Sequence, residues 1–307
     1  MTIAIAIVGY GKIAEDQHVP AILGNPAFRL AASVSRRRAG PPGVPAFASI
    51  ADLRASGLKI DAVALCSTPV ERPAAAFEAL DAGWHVLMEK PPAATLSAAR
   101  QIVAAAEAAG RTLFAGWHCR FAPAVPAAKA LLAGRRIDSL LIDWREDVRK
   151  WHPGQQWIWE PGGFGVFDPG INGLSVLSEI LPVDIAVAAA RLETPANRQT
   201  PIAARLEFSG PGIPAGAHGL FDWREPDDRW NIRIGFEGHD LLLTHGGSRL
   251  MVDGMEQPVP DEGEYPPLYR RFAELVTQGG SEVDLRPLQL VADAFLLGER
   301  VTVAPFD

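Results

Sequence analysis

The chain has 307 residues, too many for one small domain and enough for one large or two moderate ones. Apolar residues make up 48% and charged residues 21%, as in an ordinary globular enzyme, and the net charge of −7 argues against a protein that grips a nucleic-acid backbone. Its two cysteines, Cys66 and Cys119, are too few for a disulfide framework and fit a reducing cytoplasm; no apolar stretch reaches the roughly 18 residues needed to cross a bilayer.

In chain order, Ile3–Val8 is a continuous apolar run suited to a strand buried on both faces, and Ile13–Leu23 reads as a helix with Pro20 late in it. Strands are predicted at Leu30–Ser35, Ala62–Leu65, His85–Met88 and Leu113–Ala115. The helices between them are Arg72–Ala82, closed by Gly83, and Leu96–Ala109, closed by Gly110. This alternation predicts a parallel sheet with helices on both faces. After about residue 120 the pattern changes. A helix at Ala124–Leu132 precedes a mixed segment, Leu140–Val148, then a Gly/Trp-rich loop over 151–167 and a helix near 170–180. Strands follow around 185–193, 202–208, 217–223, 230–236, 240–245 and 249–252, and helices near 266–277 and 287–299 close the chain. Strands in succession predict an antiparallel sheet. The expected organisation is therefore a domain over 1–120 and an α+β domain over 121–307 with a mostly antiparallel open sheet.

Gly9-Tyr10-Gly11-Lys12-Ile13-Ala14 directly follows the first strand and opens the first helix, the G-x-G-x-x-A form of the dinucleotide-binding fingerprint. Gly9 allows the tight turn, Gly11 lets a pyrophosphate approach the backbone, and Ala14 permits close helix–strand packing. With the helix N-terminus free to hold phosphates, Lys12 and Ile13 join the candidate cofactor residues. The N-terminal domain is thus expected to be a doubly wound Rossmann sheet that binds NAD(P). The second strand ends in Ser35-Arg36-Arg37-Arg38, where an NAD-selective site would carry Asp or Glu. Ser35, Arg36 and Arg37 suit a 2′-phosphate instead, so NADP is expected to be preferred over NAD. Ser67-Thr68-Pro69, at the end of the third predicted strand, and Glu89-Lys90, at the end of the fourth, lie where open α/β sheets bind ligands. Pro91 stiffens the corner that carries Lys90.

Glu89-Lys90-Pro91 after a fourth strand, together with the fingerprint, resembles the glucose–fructose oxidoreductase/inositol dehydrogenase/MocA family, and the resemblance covers the whole chain. Gly162 through Asn172 is similar to that family's Gly-Gly-x-x-x-x-Asp-x-Gly-x-His element. Gly11–Ala14 through Gln17-His18, Glu146 through Glu160, and Phe167 through Asn172 resemble the bacterial branch that oxidises L-arabinose and D-galactose at carbon 1. The family usually carries His as its base four residues after the Asp. Here that residue is Asn172, which cannot take a proton at neutral pH, as in the aldose dehydrogenase branch.

The resemblance implies an aldose 1-dehydrogenase that makes an aldonolactone. Asp168 would accept the hydroxyl proton, Asn172, on the same helical face, would hold a neighbouring hydroxyl, and Lys90 would stabilise the developing charge. Which of Asp168 and Lys90 takes the proton stays open, and Asp168 also suits a helix N-cap ahead of Pro169. Glu146, on the strand with Trp144, Trp151 and His152 in the following loop, and His118 past the fifth strand are the candidate sugar ligands. Six tryptophans after residue 120 offer flat faces to a sugar, although packing accounts for such rings equally well. The histidines and cysteines lack close metal-ligand spacing, so no metal is expected. The expected partner is a small-molecule sugar, with no nucleic acid and no membrane, and the resemblance implies a homo-oligomer formed through the C-terminal sheet. The alternatives are another sugar or polyol oxidoreductase of the same family and a non-catalytic NADP-binding sugar sensor.

Overall fold

The computed structural model describes residues 2–36 and 40–307, and every count below refers to these. The chain divides into two compact units, residues 1–118 with 263–285, and residues 119–262 with 286–307. The expected division at 120/121 therefore needs one correction: the segment 263–285 belongs to the first unit. Helix Tyr265–Gln278 buries Tyr265, Leu268, Tyr269, Phe272 and Leu275, a stripe at helical spacing. That stripe is committed to the first unit's core. Phe272 stacks on Phe28 and Phe114 with ring centroids 6.0 and 6.1 Å apart, and Tyr269 meets Phe28 edge-on. Residues after the helix cover the sheet's edge, with the Ala115 N–H donating to the Glu282 carbonyl and the Glu282 N–H to that of Leu113.

The first unit is the expected α/β fold, a parallel sheet in the order β3-β2-β1-β4-β5-β6. Its strands are Ile3–Val8 (β1), Phe28–Val34 (β2), Ala46–Phe47 (β3), Ala62–Leu65 (β4), His85–Glu89 (β5) and Leu113–Gly116 (β6). All six residues of β1 are buried, as a continuous apolar run in a central strand requires. Two elements have no counterpart in the sequence reading, β3 and the short helix Ile50–Ala55, which Ser49 caps through its side chain. The order reverses between β1 and β4, the crevice where doubly wound sheets bind dinucleotides.

The first helix covers 12–23, but Ala14–His18 is wound as a π-helix. Pro20 has no N–H to offer the Asp16 carbonyl, and the widened turn ahead of it is the local accommodation. The result turns His18 fully inward while Glu15 and Asp16 stay exposed.

The second unit holds a nine-stranded sheet in the order β14-β13-β12-β11-β7-β10-β9-β8-β15. The strands are Ile137–Asp147 (β7), Ala186–Pro195 (β8), Ala203–Ser209 (β9), His218–Asp222 (β10), Arg224–Phe236 (β11), His239–Thr244 (β12), Arg249–Val252 (β13), Met255–Gln257 (β14) and Gly298–Val303 (β15). It is mostly antiparallel, as expected, with two parallel pairs, β7–β10 and β8–β15. The chain closes on a strand rather than a helix: the last helix stops at Leu297 and β15 pairs with β8. Helix Phe167–Ile180 lies against the sheet so closely that a Cβ on Gly173 would stand 2.7 Å from the Trp144 ring, and one on Gly170 2.7 Å from Phe221. Glycine at these positions lets the helix carry Asp168 down onto the strands.

Candidate active site

In the first unit the fingerprint has the geometry that a dinucleotide needs. Gly9 adopts φ +91, and a Cβ there would meet the Ser67 nitrogen at 2.5 Å, so only glycine fits the turn. A Cβ on Gly11 would meet no protein atom within 4 Å, which leaves the backbone open to a phosphate. Lys12 and Ile13 are exposed at the helix start, with Lys12 paired to Asp16. In the loop after β4, Ser67 and Thr68 are half-buried and Pro69 is buried. The Ser67 hydroxyl is buried with no hydrogen-bond partner among the described residues. An open glycine and an unsatisfied hydroxyl on neighbouring strand ends fit a bound NAD(P), which these loops would hold. The Ser35 amide is tied to Phe47, and Arg36 is exposed and paired with Glu71, whose other oxygen accepts from Thr68 at 3.1 Å. Arg37 lies outside the described residues.

Glu89, 4% exposed, ends β5. Its Oε1 lies 2.9 Å from His18 Nε2 and accepts the Tyr265 hydroxyl at 2.6 Å, while Oε2 accepts the Lys90 N–H at 2.9 Å. His18 Nδ1 lies 2.7 Å from the Tyr269 hydroxyl. Burial pushes the Glu89 carboxyl up, but the hydrogen bond and charge of His18, the charge of His118 and the Tyr265 hydroxyl outweigh it and hold Glu89 far below the carboxylate range. Burial opposes charge on His18 as well, yet Cys66, Tyr269 and Glu89 raise its pKa well above the ordinary value. His118, half-buried, pairs with Glu264 at 2.5 Å and stacks on Tyr265. Its pKa is raised despite desolvation, chiefly by Glu264.

In the second unit the structure brings together Glu146, His152 and Asp168. Glu146 is 3% exposed, on the same buried face of β7 as Trp144. Its Oε1 accepts the Trp223 indole N–H at 3.2 Å, and its Oε2 the Trp230 N–H at 2.8 Å. His152 stands between the two carboxylates, with Nε2 3.6 Å from Glu146 and Nδ1 3.7 Å from Asp168. Asp168 is 4% exposed in the first turn of helix Phe167–Ile180, which starts earlier than expected, so that Val166 rather than Asp168 stands at the N-cap. Asn172 follows one turn later, half-buried. Trp151 is 41% exposed, tilted against Trp230 at 5.2 Å, and donates its N–H to Asp228. His152 also lines a cleft of about 310 Å³ with Arg149, Gln155, Trp159, Arg198 and Phe306.

Sequence reading missed Arg72, which carries no motif of its own, and the tyrosines of helix Tyr265–Gln278, which reach Glu89 and His18 from far along the chain. Trp223 and Trp230 stood out only as tryptophans, and their shared carboxylate follows from β11 pairing with β7.

A doubly wound sheet with this glycine turn, and a second unit that gathers two carboxylates and an imidazole, define an oxidoreductase that binds a nicotinamide dinucleotide. Residues 3–117 match the family described as "Oxidoreductase family, NAD-binding Rossmann fold". Galactose 1-dehydrogenase of Pseudomonas fluorescens is 46% identical over 306 residues, which cover 99% of this chain and 98% of that protein. The chain belongs to the glucose–fructose oxidoreductase/inositol dehydrogenase/MocA family. Among solved structures, a D-galactose-1-dehydrogenase from Rhizobium etli matches with a TM-score of 0.93 at 48% identity, over 100% of this chain and 98% of that one. A 3-ketoreductase from Actinomadura kijaniata, in complex with NADP and TDP-benzene, shares the fold with a TM-score of 0.84 at 19% identity, over 99% and 100% of the two chains. Among the described residues no helix is long and apolar enough to cross a membrane.

Proposed function

We propose that this chain is an aldose 1-dehydrogenase that oxidises the anomeric carbon of D-galactose- and L-arabinose-type pyranoses to the aldonolactone, with NADP preferred over NAD. The observation that carries the reading is the Glu146–His152–Asp168 cluster, in a chain similar along nearly its whole length to galactose 1-dehydrogenases. The two sugars share stereochemistry at carbons 2, 3 and 4, so one pocket accepts both.

Asp168 takes the proton of the anomeric hydroxyl, and Lys90 hydrogen-bonds that oxygen and stabilises its charge as hydride departs. The nicotinamide, when bound, supplies the hydride acceptor. Asn172 is a neutral amide and holds a neighbouring hydroxyl instead of acting as base. Glu146, fixed by two indole N–H groups, and His152 bind further hydroxyls, His118 is a further ligand, and Trp151 offers an exposed ring to the sugar's apolar face. Ser35 and Arg36 receive the 2′-phosphate of NADP. Glu71 competes for Arg36, which leaves NAD usable. The enzyme works in the cytoplasm on small molecules, needs no metal, and assembles through its C-terminal sheet.

The test is the absorbance of reduced cofactor with NADP, then NAD, against D-galactose, L-arabinose, D-xylose, D-glucose and myo-inositol. The expected result is turnover of the first two sugars, faster with NADP. Turnover of myo-inositol alone would move the reading to polyol oxidation. Silence with every sugar, alongside measurable NADP binding, would leave a sensor as the account.

A further inference from the structure

We infer that His18, Arg72 and Tyr265 are positioning residues for Lys90, which they hold by its backbone from two sides; the inference rests on the reading of Lys90 as a catalytic group. A lysine side chain is a flexible four-carbon stem, so its ammonium is placed only as well as the backbone that carries it. Around Lys90 that backbone is gripped by buried charge. On one side the Glu89 carboxylate accepts the Lys90 N–H, and is itself held by His18 and Tyr265. On the other side Arg72, 2% exposed, donates through Nη1 to the Glu89 carbonyl at 2.6 Å and to the Pro91 carbonyl. Its Nη2 reaches the Ser67 carbonyl at 2.5 Å. Both polar groups of the peptide that joins Glu89 to Lys90, and the carbonyl of Pro91 beyond it, therefore end on buried ionic partners, 2–4% exposed.

The same clamp reaches the cofactor loops. Ser67, held by Arg72, is the residue against which Gly9 turns. His18 sits in the helix that the fingerprint opens, at the end of its π-wound turn. The first unit thus ties three loops into one frame: after β1 through His18, after β4 through Arg72, and after β5 through Glu89. A residue contributing only to packing would not need its hydroxyl. Tyr265 uses both its ring, stacked on His118 and edge-on to His18, and its hydroxyl, bonded to Glu89.

Tyr265→Phe keeps the ring and removes that one donor. Three readouts separate positioning from mere stability: kcat against KM for the sugar, the Kd for NADP from tryptophan fluorescence, and the rate at which an amine-specific reagent modifies Lys90. The last is followed by peptide mass spectrometry, with Lys59, Lys129 and Lys150 as internal controls. The expected result is a kcat lower by about 10- to 100-fold with KM and Kd within about twofold. Lys90 modification should change at least threefold against the controls. Unchanged kcat and unchanged Lys90 reactivity, whatever the melting temperature does, would overturn the proposal. Should Tyr265→Phe not fold, Arg72→Lys, which keeps the cation and loses the fork, is read in the same way. Lys90 labelling needs no sugar, so an enzyme that ignores every aldose still decides the positioning claim separately from the proposed activity.

Discussion

Glu89 and Glu146 are both buried glutamates near the carboxyl ends of strands, and they are held by opposite kinds of partner. Glu89 has an imidazole whose pKa is raised, a phenol and a backbone amide, and stays ionised far below the usual carboxylate range. A carboxylate bound this way cannot give or take a proton near neutrality, so its work is to hold the chain at Lys90. Glu146 is held by two indole N–H groups, which are neutral and do not titrate. Its other neighbour is His152, just beyond hydrogen-bond reach. Neutral donors fix the position of a carboxylate without matching its charge, as the proposed binding of sugar hydroxyls requires. In this chain, charge-matched burial holds Glu89, and burial among neutral aromatic donors holds Glu146, the residue proposed to face the sugar.

The largest expected effect tests the second region. Asp168→Asn should lower kcat by about 10³-fold while NADP binding, read by fluorescence, is unchanged. Near-normal turnover would pass the proton-accepting role to Lys90. The contrast between the two glutamates is sharpened by replacing each with Gln. Glu89→Gln leaves the His18 charge buried without its partner and should cost about 3 kcal/mol or more in urea unfolding. Glu146→Gln should cost about 1 kcal/mol and appear mainly as a raised sugar KM. If both lose the same stability, the distinction fails.

The pH dependence of stability is a smaller test. The folded pKa of His18 lies above its ordinary value of 6.5, so its contribution is complete below about pH 6.5 and fades as pH rises through the folded value. Glu89, depressed, contributes above its ordinary value of 4.5 and fades as pH falls. The melting temperature should therefore decline on the alkaline side, and His18→Asn should flatten that decline. Glu89, Cys66, Tyr265 and Tyr269 all face His18, so the midpoint belongs to the group together. The smallest effect is expected from Trp230→Phe, which removes one neutral donor and should raise the sugar KM about fivefold, worth ~1 kcal/mol.

Local pattern made much of the first unit legible. Strand Ala62–Leu65 and helix Leu96–Ala109 were readable to the residue, because an apolar run or an alanine-rich stretch ended in a clear cap. The fingerprint was legible because a tight turn demands glycine at Gly9 whatever else the chain does. The short strand β3 and helix Ile50–Ala55 lack any long periodic stretch, and the parallel pairing of β7 with β10 is decided by contacts far apart in sequence. Of the proposed site, Asp168 and Lys90 stood out from motifs. The partners that hold Glu89 and Glu146 were not, since Tyr265 and Trp223 are joined to them only by the fold.

The return of residues 263–285 to the first unit has a consequence for synthesis. A ribosome that has released residue 118 has made every strand of the Rossmann sheet but none of Tyr265, Tyr269 or Phe272, which complete its core. At ordinary elongation rates the nascent sheet waits on the order of ten seconds for that helix, while most of the second unit emerges. An excised fragment ending near residue 118 would reproduce that waiting state permanently, with Phe28 and Phe114 uncovered and Glu89 short of a donor.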